Sequence, residues 1–103
     1  MKAIISIFFI ILAFSSPAHA DKPAKLGLCA ACHGEAGISR TPGVPHLAGQ
    51  DETYLRKALN DYRSGVRNIS PMNSIANQLQ PKDIAAIAKW YAAQPGKNQG
   101  LRK

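Results

Sequence analysis

The sequence predicts an all-α fold of about four short helices, and three observations carry that prediction. Apolar residues recur with helical period in residues 51–64 and again in residues 81–93. Glycine and proline cluster between these segments, where they break regular structure. No stretch alternates polar and apolar residues in the manner of a half-buried strand.

The elements follow in order. A short first helix is expected over residues 22–31, with Asp21 as its N-cap and Pro23 in its first turn. Residues 34–50 read as loop, punctuated by Gly34, Gly37, Pro42, Gly43, Pro45 and Gly49. In the helix at 51–64, Asp51 and Glu52 suit the positive N-terminal end, and Gly65 terminates it. Tyr54, Leu55, Ala58, Leu59 and Tyr62 form its buried stripe. Residues 66–73 are a second loop, after which Asn73 is expected to cap a short helix running to Leu79. Pro81 opens the last helix, whose inner face is Ile84, Ile87, Ala88 and Tyr91.

Residues 1–20 are set apart from this fold. A basic start at Met1-Lys2 leads into an apolar run, which Pro17 breaks ahead of Ala18-His19-Ala20. That order is a secretory signal peptide with an A-x-A cleavage site. The apolar run is about 12 residues, short of the roughly 20 that a spanning helix needs. The expected domain is therefore residues 21–103, exported to the periplasm of a bacterium without a stable membrane anchor.

The domain left after cleavage is small, and all three phenylalanines lie in the leader. Domains of this size hide only about 60–65% of their unfolded surface. They usually need a disulfide, a metal or a cofactor as well. Losing Lys2 lowers the formal charge from +7 to +6, and the basic residues are scattered from Lys22 to Lys103. With neither an Arg/Lys run nor interleaved aromatics, nucleic-acid binding has little support. A solvated basic surface that steers toward acidic-faced protein partners fits the pattern better.

The missing core material is announced by Cys29-Ala30-Ala31-Cys32-His33. On a helical turn, cysteines three apart project to one side, where both reach the vinyl groups of one haem. The adjacent histidine then lies under the iron. C-x-x-C-H is a strong signal for covalent haem attachment, so one haem c on Cys29 and Cys32, with His33 as iron ligand, is the expected cofactor. A thioredoxin-like pair would need a βαβ setting. A structural zinc site would need four ligands from Cys29, Cys32, His33 and His46 alone. A disulfide across so short a loop would add little.

The sixth iron position decides between electron transfer and ligand chemistry. Outside the leader there is one methionine, Met72, in the polar segment Ser70-Pro71-Met72-Asn73-Ser74. A gap-filling core methionine would be out of place there. Pro71 partly pre-sets the loop, and Met72 is the expected second metal ligand beside His33.

These features together resemble the class I cytochromes c, and among them the small monohaem cytochrome c553 and cytochrome c4 group. The resemblance covers nearly all of residues 24–94. It is carried by Cys29 to Gly34, by Pro45-His46-Leu47-Ala48-Gly49-Gln50, by Tyr54-Leu55, by Tyr62-Arg63-Ser64-Gly65-Val66-Arg67, by Met72, and by Asp83-Ile84 with Trp90-Tyr91. It implies a Pro45 carbonyl that accepts a hydrogen bond from the proximal imidazole, fixing the ring. It also implies Arg63 and Arg67 near the haem propionates. The glycine the family often places early in the first helix is missing, with Gly27 nearer the motif instead, and His46 stands where another polar residue is common.

The function expected is non-enzymatic: an electron carrier that shuttles single electrons between a donor and a terminal oxidase or reductase. A fixed haem subunit of a larger oxidoreductase is a further reading. So is a haem enzyme or gas sensor with a labile sixth ligand.

Overall fold

The structure is a computed structural model that describes residues 2–11 and 21–96. Residues 2–11 are exposed and carry no regular secondary structure, and the expected cleavage site lies outside the described residues. Four helices follow: α1 (Gly27–His33), α2 (Glu52–Ser64), α3 (Met72–Ala76) and α4 (Pro81–Ala92). Among the described residues there is no strand, and no helix is long and apolar enough to cross a membrane.

Helix α2 is the central element, packing on both α4 and α3. Asp51 caps it as expected, its carboxylate accepting the Tyr54 N–H at 2.8 Å. Gly65 closes the other end in a left-handed conformation. The apolar stripe divides in two. Leu55 and Leu59 are buried in the core, whereas Tyr54 is half exposed. The core joins those leucines to Leu26, Cys29 and Leu79 and to Ile84, Ile87, Ala88 and Tyr91 of α4, so the inner face predicted for the last helix is the one it buries.

Two elements depart from the sequence reading. Helix α1 begins at Gly27, not Lys22, because residues 23–26 form a separate turn in which the Leu26 N–H reaches the Pro23 carbonyl at 3.1 Å. Asp21 therefore caps nothing, and the helix runs on through His33, placing the whole C-x-x-C-H segment on regular turns. Helix α3 begins at Met72 with Pro71 before it, and Asn73 lies inside the helix with no capping role.

Helix α4 starts more firmly than its proline alone suggests. The Asp83 carboxylate turns back to accept the Gln80 N–H at 2.8 Å, a reciprocal N-terminal lock. It also pairs with Lys25 at 3.1 Å. The Gln80 hydrogen bond first, and Lys25 second, hold this carboxyl below its ordinary range.

The other end of α4 is tied to the chain following α1. The Tyr91 hydroxyl donates to the Gly34 carbonyl at 2.9 Å, and the Trp90 indole N–H donates to the Glu35 carbonyl at 2.8 Å. Tyr91 is 1% exposed, so Tyr91→Phe keeps the packing but removes the hydroxyl donor. We expect a loss of about 1 kcal/mol, read as a lower denaturant midpoint with an unchanged slope. No change in midpoint would mean that water replaces the bond.

Candidate haem site

The predicted chemistry converges on one cavity of about 480 Å³, within the size range of small-molecule and cofactor sites. Helix α1 supplies Leu28, Cys29, Cys32 and His33, and the loop after it supplies residues 43–47. Tyr54, Leu55, Ala58 and Tyr62 of α2 form a wall, which explains why this helix's apolar stripe is wider than the core needs. Gln50, Arg67, residues 69–72 and Ile75 complete the lining. No Asp or Glu lines the cavity, and Arg67 is its one lysine or arginine.

His33 is the most constrained polar group of the site. It is 7% exposed, the one buried polar side chain among the described residues, and its Nδ1 lies 2.8 Å from the Pro45 carbonyl. A carbonyl can only accept, so Nδ1 carries the proton and Nε2 keeps its lone pair. That tautomer is the one a metal ligand needs, with the ring orientation fixed from behind. Pro45 can make this bond because the loop bearing it is pinned at its base, where the Leu47 and Ala48 N–H groups both donate to the Gly37 carbonyl at 2.8 and 3.1 Å.

The two cysteines are free of any disulfide and differ in environment. Cys29 is buried and Cys32 exposed. Burial pushes the Cys29 thiol up to about 11, so it stays protonated near neutrality and is a poor partner for thiol–disulfide exchange. Among the described residues, no three His, Cys, Asp or Glu side chains come together as metal donors. The zinc alternative thus has no donor set. What the site offers is one buried imidazole nitrogen from His33, one thioether sulfur from Met72, two thiols on a single helix and a mostly apolar cavity, which together suit a haem.

The two arginines part company. The Arg67 guanidinium lies over the Tyr62 ring, 4.4 Å from its centroid, in the cavity wall. Arg63 is exposed and instead lines a shallow depression with Asn60, Asp61, Ser64 and Asn77. His46 is exposed at the cavity's edge, its Nδ1 accepting the Ser39 N–H at 2.9 Å. The sequence reading gave no part to Val44, Ile69 or Ile75 of the lining, or to the stacking of Arg67 on Tyr62. No local periodicity marks loop residues of this kind.

A protein-family model described as Cytochrome c matches residues 24–93. The chain belongs to the cytochrome c family, whose members carry covalently attached haem c. It is 36% identical to cytochrome c4 of Pseudomonas aeruginosa over 97 residues, covering 90% of this chain but 48% of that protein. The chain thus spans about half the length of that relative. It is also 42% identical over 73 residues to cytochrome c-554(548) of Halomonas halodenitrificans, covering 68% of this chain and 88% of the other. A third relative, named thiosulfate dehydrogenase electron acceptor, from Stutzerimonas stutzeri, is 37% identical over 75 residues, covering 70% of this chain and 35% of its own length.

Proposed function

We propose that this chain is an exported, non-enzymatic carrier of single electrons, holding one haem c through Cys29 and Cys32 with His33 and Met72 as iron ligands. The observation that carries the reading is the pairing of a tautomer-locked imidazole with the domain's one methionine in the lining of a single, mostly apolar cavity. Bound haem supplies reversible one-electron chemistry at iron. His33 and Met72 would hold the iron in both oxidation states, which would limit reorganisation, and the mostly apolar lining would keep water from the group, which helps to set the potential. The Pro45 carbonyl holds the His33 proton at Nδ1 and raises the basicity of the opposite nitrogen.

Partners follow from the surface. The scattered basic residues would speed encounters with acidic-faced redox proteins, an effect that salt weakens. Contacts of this kind are small and brief. The relative described as an electron acceptor supports a carrier role of the same sort.

Exported, purified protein tests the reading by its optical spectrum, oxidised and reduced, with and without carbon monoxide. A c-type reduced spectrum, a sulfur-to-iron charge-transfer band when oxidised and no response to carbon monoxide are the expected results. Rapid carbon monoxide binding would overturn Met72 ligation, and absence of haem would overturn the whole reading. Intact mass should show the loss of residues 1–20 and the gain of one haem.

Arg67 is the arginine we assign to the haem propionates, since Arg63 points its charge elsewhere. Arg67→Ala removes a cation from the cavity wall and should lower the reduction potential by tens of mV, on the order of a tenfold change in the redox equilibrium at most. Arg63→Ala should leave the potential nearly unchanged. Protein-film voltammetry of the two variants compares them directly, and equal shifts would reject the assignment.

A further inference from the structure

We propose that Asn73 is a positioning residue for Met72, a role that rests on the ligand reading above. The sequence position suggested a helix cap, but the side chain does something else. Its amide donates one hydrogen to the Tyr62 carbonyl at 3.0 Å and the other to the Arg67 carbonyl at 2.6 Å. Its backbone N–H donates to the Ile69 carbonyl at 3.1 Å, and its own carbonyl accepts the Asn77 N–H at 3.0 Å. One residue thereby joins the last turn of α2, the loop between α2 and α3, and α3 itself.

The loop so gathered is otherwise loosely held. Val66 and Ile69 are 75% and 53% exposed, and its other ties to α2 are the Arg67 N–H bond to the Asp61 carbonyl at 3.0 Å and the stacking of Arg67 on the Tyr62 ring. Tyr62 and Arg67, whose carbonyls Asn73 grips, both line the cavity, and Met72 is the residue directly before Asn73. The clasp therefore sets the place of the thioether relative to the wall of the site. The chemistry is particular to an amide. Two carbonyls require two donor hydrogens from one short side chain, which Asp, Leu and Ala lack and Ser only half supplies.

Loss of the two bonds frees the loop to carry Met72 away from its seat. At a typical net value for each hydrogen bond, the seated-to-released equilibrium moves about tenfold or more toward release. Asn73→Ala holoprotein should therefore keep the sulfur-to-iron band at neutral pH but lose it, on alkaline titration, about one pH unit earlier than wild type. Carbon monoxide, which gives no response on mixing with the wild type, should bind the reduced variant slowly and measurably, following a released population about tenfold larger. Asn73→Ser should fall between the two and serves in place of the alanine variant if that one does not fold.

A purely structural role would lower the denaturant midpoint while leaving the band's pH midpoint and the exclusion of carbon monoxide as in wild type, and that result overturns the proposal alone. Met72→Ala measured in parallel keeps the two readings apart. A wild-type protein without the band, or a Met72→Ala protein that retains it, overturns the ligand reading and this proposal with it.

Discussion

Gly37→Ala is expected to remove about 3 kcal/mol or more of stability, a large share of what the domain has. Gly37 has φ +78°, and a Cβ there would lie 2.6 Å from the Ala48 nitrogen, 2.9 Å from Cδ1 of Tyr91 and 3.0 Å from Cα of Ala48. None of these atoms is free to retreat. The Ala48 N–H is bonded to Gly37's own carbonyl, and the Tyr91 ring is buried with its hydroxyl on Gly34. The left-handed conformation costs an alanine about 1 kcal/mol, and the overlap adds about 2 kcal/mol or more, as overpacking in a rigid site does. A domain of this size has only about 5–10 kcal/mol to lose.

Gly43→Ala is the control, because Gly43 has the same φ of +78° with nothing within 4 Å of the added carbon. It should show the backbone cost alone, near 1 kcal/mol. Denaturant midpoints of both variants measure the difference, and similar losses would show that the Gly37 contact is relieved by small movements. The consequence also reaches the haem site. The Gly37 carbonyl holds the loop that presents Pro45 to His33, so any Gly37→Ala protein that survives should have a weaker grip on the imidazole.

What the sequence disclosed, and what it hid, separates along one physical line. Helices α2 and α4 were legible because their signals are local: an apolar stripe, an acidic first turn, a proline or glycine at the boundary. The haem motif was legible for the same reason, its three functional residues lying within one helix. The family resemblance then supplied Pro45, twelve residues away, and the 2.8 Å bond to His33 agrees with what it implied. The reading failed where a residue with a good local role had a better distant one. Asn73 has the composition of a cap, yet its amide satisfies carbonyls 11 and 6 residues earlier in the chain. Asp21 and Pro23 have the composition of a helix start, yet the chain forms a turn there first. Arg63 and Arg67 are equivalent in a sequence, and only the turn at Gly65 sends one into the cavity wall and the other to the outer face of α2. The bond from Tyr91 to Gly34 spans 57 residues and leaves no trace in local pattern.

Met72→Ala should produce the largest functional change of any single substitution outside the haem motif. Met72 is partly buried against the core, so losing its side chain costs about 1–2 kcal/mol of packing, below the range for a fully buried methionine. That is small enough for the domain to fold with haem attached, because the attachment relies on Cys29 and Cys32. The ligand change is the larger effect. With Met1 the one other methionine in the sequence, and with Pro71 and Ile75 the neighbouring contributors to the lining, no second thioether can take its place. The sulfur-to-iron band should vanish from the oxidised spectrum, and reduced protein should bind carbon monoxide to stoichiometry. Replacing a thioether with water or an oxygen donor favours the ferric state. The reduction potential should therefore fall by roughly 0.1–0.3 V, part of the ~0.8 V range over which axial ligands tune haem proteins. The direction follows from the bonding, since a thioether is a weak donor that prefers ferrous iron. Spectra, carbon monoxide titration and voltammetry on one preparation test all three. An unmoved potential, with the sulfur-to-iron band absent from wild type and variant alike and carbon monoxide still excluded, would make Met72 a packing residue and leave the sixth position to His46, the other imidazole at the cavity's edge.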